Sequence, residues 1–237
     1  MPLDADRRRW LTLGATSVVL SSAPWSRSAQ GAEKEETEVF AVEDLMREHG
    51  ILRRALLVYG EAASRLARGS GQVPPDALAR TAALFRSFGE DYHERSLEEK
   101  HVFVPLARAG GRHASLVQTL TAQHARGRQI TDYVMTVANK GRLAANATAL
   151  SGVLTGFVRM YEHHAAIEDT LVFPAWKRAI TPERYGELSE EFEELEHKMF
   201  GKDGFEDALE RIADIERAFG LSDLAALTVP PPPEPAA

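Results

Sequence analysis

The chain has no cysteine. Disulfides, thiolate zinc sites and cysteine-held iron–sulfur clusters are therefore excluded. The same absence suits an exported protein, in which a free thiol is a liability. Also missing is any long apolar run of the length a permanent membrane span requires, and no stretch alternates in the manner of a strand. Excess positive charge is absent too. The net charge is −7, and the acidic balance grows once the arginine-bearing first 31 residues are set aside. An acidic body with no basic stripe repels phosphate backbones, so nucleic acid is not expected as a partner.

What is there is 237 residues, 44% of them hydrophobic, enough for one domain with a substantial core. Residues 1–31 read as an address. Arg7-Arg8-Arg9 precede Trp10-Leu11 and an apolar, small-residue run to about Ala23. That run is too short to stay in a bilayer, and Ala29-Gln30-Gly31 offers small residues for signal cleavage. The order Arg-Arg-Arg-Trp-Leu resembles a twin-arginine signal, which carries folded proteins to a periplasmic or extracellular destination. At the other end, residues 221–237 are proline-rich and expected to be disordered.

Between these ends the apolar residues recur at helical spacing. The pattern predicts helices over about Val39–Arg68, Pro75–Ala109, Ala114–Asn139 and Ala144–Ala179. Two further helices are expected, one from the Thr181-Pro182 start to about Phe200 and one over Phe205–Phe219. Four long helices with short loops imply an all-α, up-down-up-down four-helix bundle over 39–180. Residues 181–220 would cap it.

The chemistry-bearing stretch is Tyr161-Glu-His-His-Ala-Ala-Ile-Glu-Asp-Thr-Leu-Val-Phe-Pro174. His164 and Glu168 stand four apart, on one helix face, with His163 beside them. A half-copy, Tyr92-His-Glu-Arg-Ser-Leu-Glu-Glu-Lys-His-Val-Phe-Val-Pro105, carries His93 and Glu98. The first and third helices each hold a lone histidine in an apolar stripe, His49 and His124. The chain thus reads as a duplicated helix pair around a shared site. Nitrogen and carboxylate donors without sulfur suit iron or manganese, and buried carboxylates demand a cation or protons.

This pattern resembles the hemerythrin-like, or HHE cation-binding, family over about Val42 to Ala179. The resemblance implies two non-haem irons held by histidines and bridging carboxylates, with manganese or a mixed pair as variants. Carried over by position, the ligands are His49, His93, Glu98, His124, His164 and Glu168, with His163 as a neighbouring candidate. It further implies dioxygen, peroxide or nitric oxide as small ligand, an unidentified redox partner, and a role in protection or sensing. Oxygen-carrying members place a second histidine four residues after the helix-three ligand; here that position is Arg128, which cannot ligate.

The first copy departs from the family pattern. His93 and Glu98 are five apart, a rotation of roughly 140° on a regular helix. A π-bulge, for instance at Ser96, would restore a common face, and Glu94 is an alternative ligand. His101 and His197 close Glu-x-x-His spacings with Glu98 and Glu194. That spacing belongs to ferritin-like di-iron oxidases and storage bundles, which makes both histidines additional candidates and that class the alternative function.

Overall fold

A computed structural model describes residues 39–69, 73–139 and 141–233; the expected signal segment lies outside the described residues. Among these residues all regular structure is helical, and no helix is long and apolar enough to cross a membrane. The order is α1 (Ala41–Arg68), α2 (residues 75–109), α3 (Gly111–Asn139), α4 (residues 147–179, after a short 3₁₀ turn), α5 (Pro182–Phe200) and α6 (Gly204–Phe219). The first four form the bundle; α5 and α6 are the two additional C-terminal helices.

Each helix of the bundle buries its apolar stripe. Leu45, Leu52, Leu56, Tyr59 and Leu66 of α1 face the core, as do Leu150, Leu154, Phe157 and Tyr161 of α4. At one end of the interior Phe85 meets the rings of Phe157 and Tyr161 edge-on, each at a centroid distance of 5.2 Å. Gly89 allows α1 and α2 to approach: a Cβ there would stand 3.0 Å from Leu52 Cδ2.

Two helices leave the regular α ladder. In α2 the segment Phe85–Val102 is a π-helix, and in α4 so is Glu168–Val172. The first contains Ser96, whose hydroxyl donates to the Asp91 carbonyl five residues back at 2.9 Å. It runs far beyond a single bulge. Each π segment ends just before a phenylalanine, Phe103 or Phe173, that donates to the carbonyl five residues earlier. Pro105 and Pro174 follow. A proline ring collides with the carbonyl four residues back, here His101 or Thr170, and both lie where the ladder has already shifted.

The C-terminal pair packs over α1 and α2. Ser189 Oγ and Tyr185 Oη accept from the first amides of α1, Ala41 N at 3.0 Å and Val42 N at 3.1 Å. Phe40, the residue at the N-cap, offers no side-chain bond. Arg54 of α1 grips Glu216 of α6 with two hydrogen bonds, one of 2.8 Å. Beyond Gly220 the described tail has one turn, at 224–227, and is almost entirely exposed.

Candidate metal centre

Each of the four bundle helices delivers a fully or almost fully buried histidine to one place in the core: His49, His93, His124 and His164. They converge as two pairs, α1 with α2 and α3 with α4. His49 Nε2 and His93 Nε2 are 3.0 Å apart; His124 Nε2 and His164 Nε2 are also 3.0 Å apart. Two carboxylates lie between the pairs. Glu98 directs Oε1 toward His93 Nε2 (3.4 Å) and Oε2 toward His124 Nε2 (3.3 Å). Glu168 lies 3.0 Å from His164 Nε2 and 3.5 Å from His49 Nε2. The donor atoms of Glu98, His124, His164 and Glu168 fall within 4.8 Å of one another, as do those of His49, His93 and Glu98.

The π segment explains how Glu98 arrives. With the ladder running to the fifth residue, side chains five apart stack on one face, so Glu98 joins His93. In α4 the π segment begins at Glu168 itself, leaving the His164–Glu168 step as an ordinary i, i+4 pair.

Every imidazole has its other nitrogen tied down. His49 Nδ1 donates to Asp169 Oδ1 (2.7 Å), His93 Nδ1 to Glu48 Oε2, His124 Nδ1 to Glu99 Oε1 (3.0 Å) and His164 Nδ1 to Gln123 Oε1 (2.8 Å). These bonds set the tautomer and aim all four Nε2 atoms inward, as in metal-binding histidines. The arrangement repeats across the duplication. The residue before His49 holds His93, and the residue before His124 holds His164. Arg53, four after His49, pairs with Asp169; Arg128, four after His124, pairs with Glu99 at 3.0 Å. Phe173 stacks on His49 at 5.4 Å, and Phe103 on His124 at 5.3 Å.

The charges fit a cation. None of the four oxygens of Glu98 and Glu168 has a hydrogen-bond partner, although both residues are fully buried. Orphaned carboxylate oxygens at such depth are expensive. With no metal, protons must substitute. Burial opposes charge on His124, but the charge of Glu94, the close approach of the charged Glu98 and the bond to Glu99 win and lift it to about 10. Burial and the His124 charge push His164 down to about 3. Burial, then the charge on Glu98, drives the Glu168 carboxyl well up. Burial pushes Asp169 up as well, yet its bonds from His49 and Arg53 hold it below the usual carboxylate range.

Of the residues singled out in the sequence, His49, His93, Glu98, His124, His164 and Glu168 come together. His163 does not: one residue off His164, it is turned away by roughly 100° and is exposed. Glu94 is buried, but its oxygens are taken by Tyr161 Oη (3.1 Å) and Arg128 (3.0 Å). His101 lies against Phe192 and 3.9 Å from Glu191, and His197 is exposed. Neither Glu-x-x-His pair is therefore assembled at the centre. Glu48, Glu99, Gln123 and Asp169 escaped the sequence reading as partners of the histidines. The recurring Glu/Gln-His-x-x-x-Arg at 48–53 and 123–128 was the available signal.

Comparison with known proteins agrees with this geometry. The model of the hemerythrin HHE cation binding domain matches residues 41–176. Uncharacterized proteins of Mycobacterium tuberculosis and Mycobacterium bovis are 37% identical over 239 residues, covering 96% of this chain and 92% of their own length. No solved structure matches. A family match over more than half the chain, on residues that converge in a buried His/Glu cluster, places this protein in the hemerythrin HHE cation-binding domain family.

Proposed function

We propose that His49, His93, His124, His164, Glu98 and Glu168 hold two non-haem iron ions, and that the protein reacts with dioxygen, peroxide or nitric oxide in protection or sensing. The observation that carries this reading is the set of four unpartnered, fully buried carboxylate oxygens facing four inward-aimed Nε2 atoms. Imidazole and carboxylate without sulfur match iron's intermediate hardness, and manganese fits the same donors. When bound, such an ion pair supplies the electrons for reduction of a small oxidant. The chain's own part is to orient the donors, exclude water from the α1–α2 side and hold protons at Nδ1.

Stable oxygen carriage is disfavoured by what surrounds the α3–α4 pair. Arg128 is committed to Glu94 and Glu99, and His163, His101 and His197 all lie outside the cluster. Six protein ligands for two ions leave positions for water or an incoming molecule. The test is iron-loaded protein, reduced without air and then mixed with dioxygen while absorbance is followed. One-way oxidation to the ferric form is expected. A reversible adduct lasting hours in air would overturn the reading, as would less than one equivalent of iron in protein purified without added metal.

The same proposal includes export. The Arg7-Arg8-Arg9-Trp10-Leu11 order supports a twin-arginine route, by which the protein would receive its metal in the cytoplasm before translocation.

A further inference from the structure

The repeat across the duplication breaks at one pair of positions. His49 and His124 both donate to an acid, Asp169 and Glu99, each paired with an arginine. His93 donates to the carboxylate of Glu48, whereas His164 donates to the neutral amide of Gln123. Glu94 brings a further carboxylate to 4.0 Å from His124 Nδ1, but Arg128 and Tyr161 occupy both its oxygens. A carboxylate acceptor on Nδ1 raises the donor strength of the opposite nitrogen more than an amide does.

Access breaks the symmetry at the same place. Glu48 and Tyr92 are fully buried, and nearby Glu196 of α5 is largely buried and accepts from Phe205 N at 2.6 Å. Gln123 is only partly covered. It lines a surface groove of about 710 Å³ between α3 and α4, walled by Arg159, Met160, His163 and Ala166. On that side the groove-lining Gln123 is the same residue that accepts from His164 Nδ1 at 2.8 Å.

We infer that the two halves of the centre exchange metal unequally: the His49/His93 half is the closed, tightly held position, and the His124/His164 half is loaded and emptied through the groove over Gln123. This rests on the two-ion reading above. The weaker Nδ1 acceptor is also the one that reaches solvent, whereas its counterpart Glu48 is buried, so chemistry and exposure act together on affinity and on rate. Gln123 is here a positioning residue, working through His164.

The experiment is release of Co(II) from fully loaded protein into excess EDTA, followed by the visible absorption of the bound ion. Two equal phases are expected, the faster by about ten-fold or more. His164→Gln should delete the fast phase and His49→Gln the slow one. Ala166→Trp, an exposed change in the groove wall, should slow the fast phase by about ten-fold and leave the slow phase alone; Gln123→Glu should slow it as well. A single phase for both ions overturns the inference. So does a fast phase that survives His164→Gln, or one indifferent to Ala166→Trp. Should the ligand variants fail to fold, the Ala166→Trp comparison decides alone. Failure of the wild-type protein to bind cobalt, iron or manganese at all would instead defeat the metal reading itself.

Discussion

His49 Nε2 and His93 Nε2 face each other across 3.0 Å while both Nδ1 protons are committed to carboxylates. Two such nitrogens repel unless something positive lies between them, and a proton or a metal ion will serve. The metal-free and metal-loaded centres are therefore two ways of filling one electrostatic need.

Metal uptake should accordingly expel protons. With His124 lifted to about 10, protons compete with metal across the neutral range, and apparent affinity should rise steadily between pH 6 and 9. Calorimetric titration in buffers of different ionisation enthalpy measures the protons released. An affinity flat with pH would contradict the exchange.

Loading should stabilise the fold. At free metal 100-fold above its dissociation constant the gain is about 2.7 kcal/mol, or roughly 5–10 °C for a domain of this size. Thermal melts with and without chelator test it. Glu168→Gln should shrink that difference without weakening the metal-free fold. It removes a carboxyl whose charge burial and Glu98 oppose, so the metal-free variant should melt at or above the wild-type temperature, yet hold less than one equivalent of metal.

Glu90 offers a pH test away from the ligands. Burial first, then the charge on Glu94, lifts its carboxyl from 4.5 to about 7 against the pull of Thr131, Arg86 and Arg128. The folded protein therefore binds this proton more tightly than the unfolded chain. The associated stability is fully present below about pH 4.5 and is lost as pH rises through about 7. Glu90→Gln removes the loss, while Arg86 keeps Asp132 as partner. The variant should gain about 2 kcal/mol over wild type on going from pH 5 to pH 8, read from denaturant midpoints at the two pH values.

Changing Arg7 and Arg8 together to lysine should leave folded, metal-loaded precursor in the cytoplasm if the twin-arginine route is used. Fractionation with metal analysis of each compartment reads the outcome. Undiminished export of the double variant would assign the general secretory route.

Much of this architecture was legible in the residues. Helical spacing located six helices to within a few positions; the largest shifts, three residues each, are at the starts of α3 (Gly111 rather than about Ala114) and α4 (Ala147, after a 3₁₀ turn, rather than about Ala144). Spacing paired His164 with Glu168 and His93 with Glu98, and the resemblance to the HHE family completed the set with His49 and His124; these six converge, whereas His163, offered beside them, does not. The five-residue step from His93 to Glu98 announced a π distortion but not its extent, since a ladder shift over 85–102 depends on packing around the helix. The π segment at 168–172 was silent because its ligand step is regular. Glu48, Asp169 and Glu99 were missed for a different reason. An acid beside a histidine reads as a solvated face until a neighbouring helix covers it, and that covering is tertiary.

One capping arrangement has a consequence for how the chain is made. The first amide of α1 is satisfied by Ser189, 148 residues further on, and the next by Tyr185. During synthesis α1 emerges first, yet the start of its first turn stays open to water until α5 has left the ribosome. The bundle is thus finished from its far end, and a nascent chain halted after Ala179 would own all six donor residues but fray at Ala41 and Val42, upstream of His49.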